Sequence, residues 1–340
     1  MKRYKILLAG GFLATSLLAG AQQIDPITRA VIESYTEMIG QNPKDYMSYF
    51  QRGEEYFKLG EYEKAEADIL NAIKNTPSKD ASFIEKEYSL LSDLYLGQNN
   101  PEKAIEVLQE GLKAAPSSFY NRYKLGNLYL ALDKPQDAYN TFRILQSMNS
   151  RSQEAYYGMG LAAAALGRYP EVDDLIEQVK NANLNSYLTY QRIGDLYEAM
   201  NKNDKAAANY IQAYSMTENS STPLESLVKL AAKDYNNVAA ELDKLIAAVP
   251  ANASLRFIKA SIAFNNGKYD IAAQDCRDLL KLKDGQEPFV YSLLAQSELN
   301  SGNADAALEA IKQAESLAPE DADIQAIKET IMNQLPSSGE

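Results

Sequence analysis

The chain has 340 residues, a formal net charge of −12, 23 tyrosines, one cysteine and no histidine or tryptophan. Without histidine the commonest general acid–base and metal ligand is missing, and the lone Cys276 can form neither an internal disulfide nor a cysteine-rich zinc site. The acidic balance disfavours nucleic acid and anionic lipid, whose binding rests on Lys and Arg. At the start, Lys2, Arg3 and Lys5 precede an apolar run from Ile6 to Leu18 and the small residues Ala19, Gly20 and Ala21. This is the pattern of a secretory signal peptide over residues 1–21, with cleavage after Ala21; an uncleaved anchor is the competing reading, for which the run is short. Ala21 stands where a lipoprotein signal carries its cysteine, so no lipid anchor is expected. The address implied is the periplasm, or secretion beyond it, in a bacterium. No later segment is long and apolar enough to span a bilayer.

Pro26 to Gly40 reads as one amphipathic helix. Beyond it, a small residue recurs at one phase: Gly53, Ser92, Gly126, Gly160 and Gly194, then Ser226, Ala260 and Ala295, with three consecutive steps of 34 residues. Three residues later stand Tyr56, Tyr95, Tyr129, Ala163 and Tyr197. Twelve later stand Ala65, Ala104, Ala138, Val172, Ala206, Val238, Ala272 and Ala307. Sixteen later stand Ile69, Leu108, Phe142, Ile176, Tyr210, Leu242, Cys276 and Ile311, which makes Cys276 a core residue. Apolar positions three and four apart are helical, and the small residues mark where two antiparallel helices touch. Gly60, Gly167, Gly267 and Gly302 fall where the first helix of a pair ends, and suit a left-handed cap. Pro101, Pro135 and Pro170 fall at the start of the second helix, where a missing N–H costs nothing. Most tyrosines are accounted for by packing between helices.

In residues and period this pattern resembles the tetratricopeptide repeat, over about Tyr46 to Pro319 in eight units; the stretch from Leu59 to Pro77 is a close match. The resemblance implies an all-α solenoid, helix pairs stacked into a right-handed superhelix, with flanking helices. The expected N-terminal array covers residues 22–217: a half-unit at 26–40 and repeats from 46, 85, 119, 153 and 187. In the half-unit, Val31, Tyr35 and Met38 lie at the phases of a second helix. The expected C-terminal array covers 218–335: a degenerate repeat from 219, repeats from 253 and 288, and a capping helix at 320–335 with Ile324, Ile327, Ile331 and Leu335 as its apolar stripe. Residues 336–340 form a tail. An insertion around Ser78 to Ile84 either lengthens a connection or extends the next helix. The Ser/Thr-rich stretch from Met216 to Pro223 is either a joint or one poor repeat in a continuous array.

No phosphate loop occurs, and the Gly158-Met159-Gly160 stretch lies within a helix, where glycine serves packing. Nothing brings a catalytic carboxylate pair together, so no catalytic residue, metal or cofactor is expected. The resemblance makes the first helices of each pair the lining of a concave groove and assigns the inward positions Phe50, Glu54, Asp93, Tyr120, Tyr123, Asn127, Tyr157 and Asp195. Phe50, Tyr120, Tyr123 and Tyr157 would supply buried area to an extended or helical protein segment. Glu54, Asp93 and Asp195 would favour a segment bearing Lys or Arg. Family members that grip a C-terminal carboxylate use a Lys, Arg and Asn cluster, of which only Lys124 and Asn127 correspond here, so that mode is not expected. The function implied is a non-catalytic protein-interaction scaffold of the cell envelope, with an assembly chaperone and a sugar- or peptidoglycan-binding module as alternatives.

Overall fold

The computed structural model describes residues 25–183, 186–217 and 221–334. The segment read as a signal peptide, Leu335 and the tail lie outside them. The chain divides between Ala182 and Asn183 into two compact units. Among the described residues all regular structure is helical, and consecutive helices pack in pairs.

The first unit holds α1 (Pro26–Gln41), α2 (Tyr46–Lys58), α3 (Tyr62–Asn75), α4 (Ala81–Gly97), α5 (Pro101–Ala114), α6 (Phe119–Ala131), α7 (Pro135–Met148), α8 (Gln153–Ala165) and α9 (Tyr169–Ala182). The repeat phases explain its packing. Ala65, Ala104, Ala138 and Val172 are fully buried, as are Ile69, Leu108, Phe142 and Ile176 one helical turn on. The Phe142 ring lies against both Gly126 and Gly158, where an added Cβ would sit 2.6 Å and 2.5 Å from ring carbons. Glycine is required there because the ring fills the space a side chain would take.

Helix starts obey a second phase that the sequence reading did not single out. Asp45, Ser118 and Ser152, eight residues before the small residue, cap α2, α6 and α8 by accepting from Ser48, Asn121 and Ala155 N–H groups at 3.3, 3.1 and 3.1 Å. In α4 the cap moves to Asp80, which accepts from Phe83 N–H at 3.2 Å. The insertion therefore extends the helix, and α4 has 17 residues where α2, α6 and α8 have 13.

The half-unit forms as α1, with one difference in phase. Its buried residue is Ile39, while Met38 is 47% exposed. Met38 still touches α2, its Sδ accepting from the Ser48 hydroxyl at 3.5 Å.

The second unit holds α10 (Tyr187–Ala199), α11 (Asn203–Met216), α12 (Thr222–Ala248), α13 (Ala253–Asn265), α14 (Tyr269–Leu280), α15 (Pro288–Asn300), α16 (Ala304–Leu317) and α17 (Ala322–Gln334), with a 3₁₀ turn at Lys283–Gly285. Ala206, Val238, Ala272 and Ala307 are fully buried, with Tyr210, Leu242, Cys276 and Ile311 beside them. Burial raises the Cys276 thiol pKa far above its ordinary range, as befits a core residue. The boundary expected at 217/218 falls inside this unit, where Tyr210, Ile211 and Tyr214 of α11 share a core with Leu224, Leu227 and Leu230 of α12. Residues 218–220 lie outside the described set. The α17 stripe is seated as expected, with Ile324 and Ile331 buried and Ile327 half-buried against the same cluster.

The turns inside the pairs share one backbone rule. Gly60, Gly167, Gly267 and Gly302 have φ of 73°, 71°, 69° and 86°. Asn99, Asp133 and Asn201 occupy the same phase with φ of 57°, 54° and 57°. Asn and Asp are the non-glycine residues that adopt this conformation most readily. The degenerate repeat carries Lys233 there. It stays helical, and the chain breaks instead at Asp234 (φ −150°, ψ 67°), whose carboxylate accepts from Asn237 Nδ2 at 2.7 Å and Asn203 Nδ2 at 2.9 Å.

Candidate functional site

The first unit presents a groove of about 360 Å³ on its first helices. Phe50, Gln51 and Glu54 come from α2; Glu85, Lys86, Ser89, Leu90 and Asp93 from α4; and Tyr120 from the first turn of α6. Spacings of three and four residues put each set on one helix face. Four of the expected residues, Phe50, Glu54, Asp93 and Tyr120, are thus brought together.

Their roles differ from expectation. Phe50 is buried and packs edge-on against Phe83, with ring centroids 5.1 Å apart, so it forms the floor and offers little area to a ligand. Tyr120 is 53% exposed and is the aromatic side chain available at the wall. Asp93 is already paired: Lys124 Nζ lies 2.6 Å from its Oδ1 and also donates to Ser89 O at 2.9 Å and Ser89 Oγ at 3.1 Å. The same ammonium lies 5.9 Å from the Tyr120 ring centroid. Burial lowers the Lys124 pKa, and Asp93 opposes the shift. With its three donors engaged, Lys124 holds α6 to α4 and is not free to grip a carboxylate.

Glu54 accepts from Gln51 Nε2 at 2.9 Å. Burial raises its pKa, countered by Lys58. Partial desolvation strengthens its attraction for any incoming cation. Glu85 accepts from the Ser118 hydroxyl. The lining therefore carries Glu54, Glu85 and Asp93 against Lys86, with Lys124 behind Asp93.

The other expected residues do not reach this groove. Tyr123 and Asn127 lie half-buried on α6, Tyr123 with its ring 6.2 Å from that of Phe142. Tyr157 lies half-buried on α8. Asp195 belongs to the second unit, where it accepts from Tyr210 Oη at 2.9 Å and Gln191 Nε2 at 3.1 Å. Gln51, Glu85, Lys86 and Leu90 were missed as lining residues. Spacing from Glu54 and Asp93 along the same helix faces was the signal that could have found them.

Among the described residues no group of three or more carboxylate or cysteine side chains could hold a metal, and no helix is long and apolar enough to cross a membrane. Paired helices with a small-residue contact, a left-handed turn and a groove on the first helices define a helical-hairpin repeat protein. Tetratricopeptide repeat profiles match residues 48–79, 88–118, 123–171, 187–220, 224–287 and 290–321, and the chain belongs to that family. It is 22% identical over 192 residues to anaphase-promoting complex subunit 3 of Schizosaccharomyces pombe (strain 972 / ATCC 24843), covering 56% of this chain and 29% of that protein. The yeast Tom70 crystal structure shares the fold, with TM-score 0.51, 14% identity, and coverage of 90% of this chain and 59% of that one. A tetratricopeptide repeat protein from Parabacteroides merdae ATCC 43184 matches at 18% identity and TM-score 0.38, covering 88% of this chain and all of that one. Proteins of this family act as protein-interaction scaffolds, and a protein partner is what the fold implies.

Proposed function

We propose that this protein is a non-catalytic scaffold of the bacterial cell envelope that holds a Lys- or Arg-bearing segment of another protein in the groove of α2, α4 and α6. The observation that carries this reading is that Glu54 and Glu85 line one groove together with the half-exposed Tyr120, while Asp93 in the same lining is paired with Lys124. Tyr120 supplies apolar area and a π-face to an aliphatic stem or cation. The carboxylates, Glu54 in a partly desolvated position, attract the charge. The signal-peptide pattern of residues 1–21 supports the envelope location.

Fluorescence titration of the purified chain with an unstructured Lys/Arg-rich peptide, and with its norleucine/citrulline counterpart, tests the groove. The charged peptide is expected to bind more tightly. Tyr120→Ala and Glu54→Gln should each weaken it by about 1–2 kcal/mol, the cost of truncating an interface contact. Equal binding of the neutral peptide, or indifference to both substitutions in a folded protein, contradicts the proposal.

A further inference from the structure

The turn between α13 and α14 carries a chemical feature that the other turns lack. Asn266-Gly267 is the one Asn-Gly dipeptide in the chain. In the other pairs that turn on glycine, the residue before it is Leu59, Leu166 or Ser301. An asparagine carboxamide followed by glycine reacts readily with its own backbone, because no side chain shields the next nitrogen. The Gly267 nitrogen attacks Asn266 Cγ and the new C–N bond closes a five-membered imide. The side-chain amide leaves as ammonia, carrying the proton given up by the Gly267 nitrogen. Water then opens the imide at either carbonyl, which leaves aspartate or its isomer linked through the β-carbon.

Water reaches this turn, since Gly267 is exposed and Asn266 half-buried. The folded turn withholds the other requirements. The Gly267 N–H is committed to Phe264 O at 3.0 Å, and Asn266 Nδ2 donates to Ile262 O at 2.9 Å, which holds the carboxamide back along α13. Asn266 has φ −96° and ψ 13°. Imide closure needs Cβ and the next nitrogen nearly eclipsed about the Cα–C bond, and at this ψ an L-residue holds them nearly opposed. The conformation is locked from both sides. Gly267 is left-handed at φ 69°, Lys268 N–H reaches back to Ala263 O at 2.9 Å, and the rings of Phe264 and Tyr269 stand edge-on across the turn with centroids 5.4 Å apart.

We propose that Asn266 is a self-modification site gated by the α13–α14 turn: closed, the turn protects the carboxamide, and each opening exposes it to irreversible deamidation. The product does not restore the turn. Aspartate has no amide hydrogen for Ile262 O, and it puts a negative charge at the C-terminal end of α13, where the helix dipole disfavours it. The isomer adds a methylene to the main chain inside the loop closed by the Lys268–Ala263 bond. The modified pair therefore opens more readily than the parent, and the change records openings that have occurred. The proposal does not depend on the groove of α2, α4 and α6, because it involves none of those residues.

Peptide mass spectrometry of the purified chain, incubated in mildly alkaline buffer made with oxygen-labelled water, reads the amide-to-acid exchange at residue 266. The folded chain should react at least about a hundredfold more slowly than the same chain unfolded in urea. Urea below the unfolding transition should already speed the reaction, because the turn opens before the whole unit does. Phe264→Ala removes the ring pair and leaves Asn266 and Gly267 in place; it should react about tenfold faster than the parent when folded, and at the parent's rate when unfolded. Asn266→Asp, which mimics one product, should show faster hydrogen exchange at the Gly267 and Lys268 amides. Equal rates in the folded and unfolded chain, or a folded rate that neither Phe264→Ala nor sub-denaturing urea changes, overturns the gating. Unchanged exchange in Asn266→Asp overturns the claim that the product loosens the turn. Should Phe264→Ala fail to fold, the urea series still decides.

Discussion

Glu87 lies fully buried on α4, its Oε1 accepting from the Thr76 hydroxyl at 2.5 Å and its Oε2 without a partner among the described residues. Burial pushes its pKa up to about 7 from 4.5, with Thr76 opposing and Asp80 adding to the rise. Between those values the folded chain holds a proton that the unfolded chain has released. The group's contribution to stability is therefore fully present below about pH 4.5 and is lost as pH rises through about 7. Glu87→Gln removes the titration while keeping an acceptor for Thr76. The variant and the parent should have similar stability near pH 5, and the variant should be the more stable by on the order of 2 kcal/mol near pH 9. A parent–variant difference that does not change with pH, in denaturant unfolding at several pH values, contradicts this. The glycines make a second test at this scale. Gly158→Ala would bring a methyl to 2.5 Å from the Phe142 ring and should cost about 1–3 kcal/mol. Gly40→Ala, with nothing within 4 Å of the new atom, should instead stabilise by about 0.5–1 kcal/mol.

The turn within each pair is decided by one residue. Where that residue is Gly, Asn or Asp, the chain reverses through a left-handed conformation; where it is Lys233, the helix continues to Asp234. Asp133→Val should cost about 1–2 kcal/mol and Asp133→Gly should be nearly neutral, measured by urea unfolding. Equal stability of the two variants would show that the turn imposes no such demand. The helices and their buried phases were legible in the sequence because a small residue, an alanine and a large apolar residue recur together. Asn99, Asp133 and Asn201 were not recognised as turn residues, because only glycine was read as a left-handed signal. The groove was legible in part for a related reason. Phe50, Glu54, Asp93 and Tyr120 sit at regular repeat positions, but Phe83, which buries Phe50, lies in the insertion, where the repeat assigns no phase. The pairing of Asp93 with Lys124 crosses from one repeat to the next, and a pattern read within repeats does not show it.

At the scale of the whole molecule, each unit is a run of helix pairs whose core is renewed repeat by repeat, so its stability rests on contacts between neighbours. Such an architecture offers long runs of first-helix surface and little of the enclosed, convergent chemistry that catalysis requires. The net charge of −12 adds a field that draws basic partners and is screened by salt. Binding of the Lys/Arg-rich peptide should accordingly weaken as ionic strength rises from about 0.05 to 0.5 M; a salt-independent affinity would point to purely apolar recognition. The central claim is that α2, α4 and α6 hold a basic segment of another protein. The most direct measurement places a photo-cross-linking amino acid at Tyr120 in the living cell, with a control at the exposed Leu70 of α3, and identifies the joined peptides by mass spectrometry. The account predicts a dominant partner segment bearing Lys or Arg, captured from Tyr120 and not from Leu70. Equal capture from both positions, or a captured segment that is acidic or neutral, would contradict it.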